Sequence, residues 1–152
     1  MRLTQHTDYA LRVLIHLAMS PSVHATIPQI AAAHQLSENH LRKVVLHLAK
    51  GGFLATRRGR GGGFALAQPA ESISLRAVVL HTETDMRMVD CTGCKLRPVC
   101  GLPRILNEAA SAFLGALDSY TLADVVQDRL GLVATLDAMS NGPETPGAIS
   151  DP

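Results

Sequence analysis

The chain has 152 residues, of which 47% are hydrophobic and 18% are charged, and its net charge at neutral pH is +1. This length is enough for one domain with a buried core and does not require a second domain. The longest stretch without Asp, Glu, Lys or Arg contains three histidines and two prolines, which excludes a membrane span. The N-terminal residues lack the apolar core of a secretory signal, so we expect a cytoplasmic protein.

Charge is distributed unequally along the chain. Residues 1–67 carry eight Lys or Arg and two acidic residues, a net charge of +6, so the remaining residues carry −5. A basic half joined to an acidic half is expected when one part binds a polyanion and the other binds protein. Charge alone does not establish nucleic-acid binding.

The first fifty residues predict three helices. Apolar residues recur with a helical period over residues 4–19, which predicts an amphipathic first helix. Thr26 is placed to cap a short second helix with Pro28 in its first turn. Ser37 is placed to cap a third helix, which ends at Gly51. The short helix, the tight turn and the third helix together predict a helix-turn-helix.

The third helix has a free face that is rich in Asn, His, Arg and Lys. The residues that the helical period directs outward are Glu38, Asn39, His40, Arg42, Lys43 and His47. We expect DNA contacts from Ser37, Asn39, His40, Arg42 and Lys43. A solvated polar face on any small helical domain has the same composition, so this helix alone does not decide the function.

A β-hairpin wing is predicted directly after the third helix. Residues 53–56 and 64–67 have the composition of two short strands, separated by a segment rich in Gly and Arg. Arg57, Arg58 and Arg60 can reach phosphates or a minor groove from this wing. The glycines do not form a nucleotide loop, because they lack the G-x-G-x-x-G spacing and open a strand instead of a helix. A helix-turn-helix followed by a basic wing predicts winged-helix DNA binding.

All three cysteines of the chain lie close together, as Cys91, Cys94 and Cys100, in a C-x2-C-x5-C array without helical period. Clustered thiolates suit zinc, copper(I) or iron–sulfur clusters. Three cysteines supply only three ligands, so a fourth must come from elsewhere in the chain, from a second subunit or from solvent. A disulfide with a leftover thiol, or a metal-free thiol switch, is the alternative interpretation.

The remaining chain predicts more helix and a disordered tail. Helices are expected from Ser72 to about Thr82, from Leu102 onward, and briefly after Thr121. The helix from Leu102 has a broad apolar face, which is the best candidate for a dimer interface because a two-fold operator requires a dimer. Burial of this face against its own domain is the competing explanation. The fold class is therefore mainly α with a small β-wing. The expected parts are a DNA-binding domain (1–82), a cysteine loop (83–101), dimerisation helices (102–139) and a disordered tail (140–152).

The order of these parts resembles the Rrf-two (Rrf2) family of winged-helix regulators. The resemblance is carried by residues 1–4, 7–12, 58–64 and 120–126 together with the cysteine loop, and it spans the chain from residue 1 to about residue 130. It implies a homodimeric transcription factor that is not an enzyme and that binds a palindromic operator in double-stranded DNA. Within the family the chain is most similar to nitric-oxide-responsive repressors, which implies an iron–sulfur cluster whose damage by nitric oxide releases DNA. A regulator of iron or cluster supply is the alternative within the family.

The resemblance also implies a ligand set for the cluster. Cys91, Cys94 and Cys100 match the three family cysteines, and Asp8 matches a carboxylate contributed by the partner subunit. Cluster-supply regulators of the family use a histidine three places after the third cysteine, where this chain has Pro103. Local alternatives for the fourth ligand are His81, Glu83, Asp85, Asp90 and Glu108. The family usually separates its first two cysteines more widely, and the shorter C-x2-C spacing favours a four-iron over a two-iron cluster without excluding zinc.

Overall fold

The computed structural model describes residues 2–20, 24–59 and 61–140, with no side-chain placement for the last two of these. Within these residues the elements are α1 (Gln5–Met19), α2 (Ile27–His34), α3 (Glu38–Lys50), β1 (Leu54–Arg57), β2 (Gly63–Leu66), a 3-10 turn (Ala70–Ser72), α4 (Leu75–Thr82), α5 (Leu102–Asp118), α6 (Leu122–Val125) and α7 (Arg129–Ser140). The expected mainly α fold with a small β-wing is therefore confirmed. Arg60 and the expected tail beyond Ser140 lie outside the described residues.

The helix α1 forms the centre of the hydrophobic core. The Thr4 hydroxyl accepts a hydrogen bond from the backbone N–H of Thr7 and caps the helix. Its apolar stripe, which includes Val13, Leu14 and Leu17, is buried against the helices that follow. Such burial contributes most of the stability of a short helix. The same contacts hold the helix-turn-helix against α1.

The pair α2 and α3 forms the predicted helix-turn-helix. At the start of α2, the backbone N–H and the hydroxyl of Thr26 both donate to Oε1 of Gln29, at 2.8 and 2.9 Å. Gln35 ends α2 in the left-handed conformation with φ of 53°, which makes the turn tight. Ser37 stands at the start of α3 as expected, but its hydroxyl makes no capping hydrogen bond.

The wing is an antiparallel pair of strands that lies one residue away from its predicted position. Leu54 pairs with Leu66 and Arg57 pairs with Gly63, so Arg57 ends β1. The base of the wing is fastened to the segment before α2, because Ala25 and Phe64 exchange two backbone hydrogen bonds of 2.9 Å. A Cβ atom at Gly63 would lie 2.5 Å from the carbonyl oxygen of Ala25, so this close approach requires glycine.

Of the last helices, α6 and α7 pack against this core, and Leu122 of α6 is buried in it. A backbone bridge joins Ser74 to Thr121 and places α6 against the start of α4. The long helix α5 packs on α4, yet none of its residues is buried within the described protomer. The apolar face of α5 is thus only partly covered by its own domain, with Leu106, Phe113 and Leu117 half-buried and Leu102 and Ile105 exposed. No helix among the described residues is long and apolar enough to cross a membrane.

Candidate cysteine-loop site and DNA-contacting surface

The three cysteines lie on a loop of successive tight turns between α4 and α5. The backbone N–H of Cys94 donates to the carbonyl of Cys91, and that of Arg97 donates to the carbonyl of Cys94. All three cysteines are free thiols, Cys91 half-buried and the other two exposed. Within the part of one protomer that the structure describes, no three His, Cys, Asp or Glu side chains are close enough together to hold a metal ion. The donor set nevertheless fits an iron–sulfur cluster, which is held by thiolates.

A cavity of about 230 Å³ lies beside Cys91. It is lined by Arg87, Met88, Arg97 and Leu106. The guanidinium of Arg87 is ion-paired with Asp85. The cavity therefore brings Cys91 together with Arg97 and with apolar residues of the loop and α5.

Each local alternative for a fourth ligand already has a partner within the protomer. Both oxygens of Asp85 accept hydrogen bonds from Arg87, and these bonds lower the pKa of Asp85 to about 2. Asp90 accepts from the backbone of Thr92 at 2.8 Å. The other three pairs are Glu108 with Arg104, Glu83 with Thr4, and His81 with the carbonyl of His47. Any of the five would have to leave its partner, or share it, to bind iron.

Asp8 lies in the first turn of α1 and makes an i, i+4 ion pair with Arg12. Arg12 Nε donates to Oδ1 of Asp8 at 3.1 Å, and the terminal nitrogen lies 3.1 Å from Oδ2. Both side chains are close to half exposed. They line an open surface cavity of about 850 Å³ together with Arg2 and Gln5. The carboxylate is accessible to another molecule at this surface.

The outward face of α3 differs in part from the prediction. Asn39, Arg42 and Lys43 are exposed, whereas His40 is half-buried with its ring centroid 4.8 Å from that of Tyr9. The prediction that His47 faces outward is wrong: His47 is half-buried, and its Nδ1 lies 2.8 Å from Nε2 of His6.

Burial lowers the pKa of both His6 and His47, and neighbouring histidines add to the shift. Both rings are therefore predominantly neutral at pH 7. Leu46, which no sequence pattern singles out, is 58% exposed on the same helix as Arg42 and Lys43. A helical period alone cannot distinguish a histidine packed against other rings, as His47 is, from an exposed histidine.

The wing presents its described arginines to solvent. Arg57 and Arg58 are both exposed. At the tip the backbone N–H of Gly62 donates to the carbonyl of Gly59 at 2.9 Å, and Gly59 has φ of 98°, so the tip is a tight glycine turn. The wing and the exposed face of α3 give the chain two basic elements, as winged-helix DNA binding requires.

The model of the Rrf2 family, described as an iron-dependent transcriptional regulator, matches residues 3–128. This chain belongs to the Rrf2 family. It is 44% identical over 142 residues to the HTH-type transcriptional regulator NsrR of Bacillus subtilis, covering 90% of this chain and 97% of that protein. It is 46% identical over 142 residues to the NsrR regulator of Geobacillus kaustophilus, with the same coverage.

Solved structures show the same fold at lower identity. The structure of CymR, the global cysteine regulator of Bacillus subtilis, superposes with a TM-score of 0.66 at 24% identity, covering 82% of this chain and 95% of that one. The IscR structure from T. potens superposes with a TM-score of 0.70 at 22% identity, covering 84% and 88%. As an Rrf2 member, the chain is a winged-helix transcriptional regulator and not an enzyme.

Proposed function

We propose that this Rrf2 protein is a DNA-binding repressor of the NsrR type, which senses nitric oxide through an iron–sulfur cluster and releases DNA when the cluster is damaged. One observation carries the proposal: three free cysteines share one loop after α4 in a winged-helix chain that is 44% and 46% identical to regulators named NsrR. We expect the protein to act in the cytoplasm as a homodimer on a palindromic operator in double-stranded DNA.

The proposed ligands are Cys91, Cys94 and Cys100 of one subunit and Asp8 of the partner subunit. The open surface around Asp8 supports this assignment, because a neighbouring loop can reach the carboxylate there. Arg97, which lines the cavity with Cys91, would offset the negative charge of the thiolates. The C-x2-C spacing favours a four-iron cluster over a two-iron cluster.

The same assignment suggests how the loop acts on DNA binding. When bound, the cluster supplies the iron that reacts with nitric oxide. The partner's Asp8 ties the loop of one subunit (83–101) to α1 of the other, and this link sets the separation of the two α3 helices. A palindromic operator requires a set separation, because its half-sites lie about 34 Å apart per helical turn. Release of the loop from Asp8 removes that link and lowers the affinity for DNA.

The proposed DNA surface consists of α3 and the wing, which both belong to the DNA-binding domain of residues 1–82. The candidates are Ser37, Asn39, His40, Arg42, Lys43, Arg57, Arg58 and Arg60. Among these, the exposure of Asn39, Arg42, Lys43, Arg57 and Arg58 supports the proposal. The helices of residues 102–139 are proposed to form the dimer interface, which is consistent with the absence of buried residues along α5 in the described protomer.

The test begins with anaerobic purification and an absorbance spectrum with iron and sulfide analysis. We expect a coloured holoprotein that binds duplexes selected from a random-sequence pool, and we expect nitric oxide to bleach it and release the DNA. The Cys100→Ser variant serves as a control that should lack the cluster and show no response to nitric oxide. A colourless protein with stoichiometric zinc and unchanged DNA binding would reject the sensor. Oxidant-dependent disulfides without metal would favour a thiol switch, and a response to iron alone would favour a supply regulator.

A further inference from the structure

His81 is packed against the C-terminal end of α3. Its Nε2 lies 2.8 Å from the carbonyl oxygen of His47, and since a carbonyl only accepts, Nε2 is the donor. The ring centroid of His81 lies 4.3 Å from that of His47 and 5.4 Å from that of Phe53. The same carbonyl also accepts from the backbone N–H of Gly51 at 3.1 Å. One side chain of α4 is thus bonded to the last turn of the proposed recognition helix.

Gly51 provides the space that this ring occupies. Its φ of −78° and ψ of −1° are allowed for any residue, so the backbone does not require glycine. A Cβ atom at this position would nevertheless lie 2.5 Å from Nε2 and 2.7 Å from Cε1 of His81. Gly51 and His81 are therefore sterically matched across the contact between α3 and α4.

The next two residues fasten the same end of α4 to the start of α1. Thr82 is buried, accepts a hydrogen bond from the hydroxyl of Thr7 at 2.9 Å, and donates to its own helix. Glu83 accepts through Oε1 from the backbone N–H and the hydroxyl of Thr4, at 2.7 and 3.1 Å. Eight residues after Glu83 the chain reaches Cys91. The end of α4 thus connects the cysteine loop, α1 and α3 at one place.

We propose that His81 is the positioning residue through which the cysteine loop sets the placement of α3. This inference rests on the proposed function, because it assumes that cluster binding at the loop changes the affinity for DNA. A loop held by its ligands fixes the end of α4, and His81 then fixes the end of α3. A released loop leaves the end of α4 less constrained, and the bond from His81 no longer determines where α3 lies.

The test compares two substitutions of similar size. His81→Leu removes the donor, whereas His81→Gln keeps an amide N–H₂ that can reach the carbonyl of His47. DNA affinity is measured for the cluster-loaded and the cluster-free form of each protein on one selected duplex. We expect His81→Leu to lower the ratio of loaded to cluster-free affinity about fivefold, which is the effect of one hydrogen bond. Only the affinity of the loaded form should fall. His81→Gln should keep most of the ratio, and both variants should keep the iron content and absorbance spectrum.

Gly51→Ala approaches the same contact from the other side. The added methyl group displaces the ring of His81, so this variant should also lower the ratio. In the double variant with His81→Ala the clash is absent, so the double variant should have the same ratio as His81→Ala alone. Thermal unfolding of all variants reports any loss of stability separately.

Three results would overturn the inference. His81→Leu could leave the ratio unchanged, with or without an equal weakening of both forms, which would make His81 merely structural. If His81→Leu does not fold, Gly51→Ala decides, and an unchanged ratio in that variant rejects the inference. A ratio of one in the wild type would reject the proposed function together with this inference, and that failure is recognised before any variant is measured.

Discussion

Asp8 illustrates how a single residue connects the two subunits in the proposed site. Its ion pair with Arg12 is exposed and spaced i, i+4, and such pairs stabilise a helix by only about 0.3–0.5 kcal/mol. The pair is therefore too weak to keep Asp8 from binding iron. We predict that Asp8→Ala gives a cluster that is lost faster to a chelator, with little change in thermal stability. Loss of absorbance after chelator addition is the measurement.

The chain offers a matched control for this substitution. Glu38 and Arg42 form the same kind of exposed i, i+4 pair at 3.1 Å on α3. Glu38→Ala should leave the rate of cluster loss unchanged, since its carboxylate has no proposed role at the loop. Equal rates in wild type and Asp8→Ala would remove Asp8 from the ligand set.

A second residue-scale prediction concerns the histidine pair between α1 and α2. Nδ1 of His16 lies 3.2 Å from Nε2 of His34, and burial, with the charges of His16 and Arg12, lowers the pKa of His34 to about 4 from 6.5. Between pH 6.5 and about 4 the unfolded chain binds more protons at this histidine than the folded chain does. The free energy of unfolding therefore falls as the pH decreases below 6.5. We predict a lower urea midpoint for the cluster-free protein at pH 5 than at pH 7.5.

His34→Gln should reduce that difference, because glutamine does not titrate and its amide can still bond to His16. Some pH dependence should remain, since burial also lowers the pKa of His16. His24→Gln is the control, because His24 is exposed. An undiminished difference in His34→Gln would show that this histidine does not cause the acid sensitivity.

Among the elements, the wing is proposed to contribute charge to DNA binding. A side chain that neutralises one phosphate changes the slope of log affinity against log salt by about 0.9. We predict that Arg58→Ala weakens DNA binding and lowers the slope by about that amount. Arg76→Ala should leave the slope unchanged, because Arg76 is paired with Asp118 at the far end of α5. A slope that Arg58→Ala does not alter would place the wing away from the phosphates.

The elements also show where an apolar period in the sequence predicts the bounds of a helix or strand correctly. Residues 4–19 were predicted as a helix and α1 occupies Gln5–Met19, because a continuous apolar stripe is buried along its length. The strands lie one residue from their predicted positions, and the wing approaches Ala25 at Phe64 and Gly63. A local pattern cannot report a contact with a segment forty residues earlier.

For the whole molecule, the long helix α5 is the proposed site of dimer formation. Leu102 and Ile105 are 48% and 53% exposed in the protomer. We predict that Ile105→Glu shifts the protein toward a monomer in light scattering and, because Asp8 then lacks its partner loop, makes the cluster more labile. Glu108→Gln on the same helix is the control and should remain dimeric. A dimeric Ile105→Glu with a normal cluster would place the interface elsewhere.

The whole site was only partly predictable from the sequence. The array of Cys91, Cys94 and Cys100 identified the loop, because thiol spacing is a local feature of the chain. The bond between His81 and the carbonyl of His47 was not predictable, because it depends on how α4 packs against α3 and because histidine appears polar in any pattern. The assignment of the partner's Asp8 rests on the family resemblance, because a contact between subunits leaves no spacing pattern in one chain.

The attachment of the wing to Ala25 has a consequence for how such regulators diverge. Two backbone hydrogen bonds hold the base of the hairpin, while the tip is closed by its own glycine turn. Backbone bonds impose little constraint on side-chain identity, so the tip can be exchanged without rebuilding the core. Evolution, or an engineer who transplants tips between relatives, can alter operator preference at small structural cost, provided that Gly63 is retained.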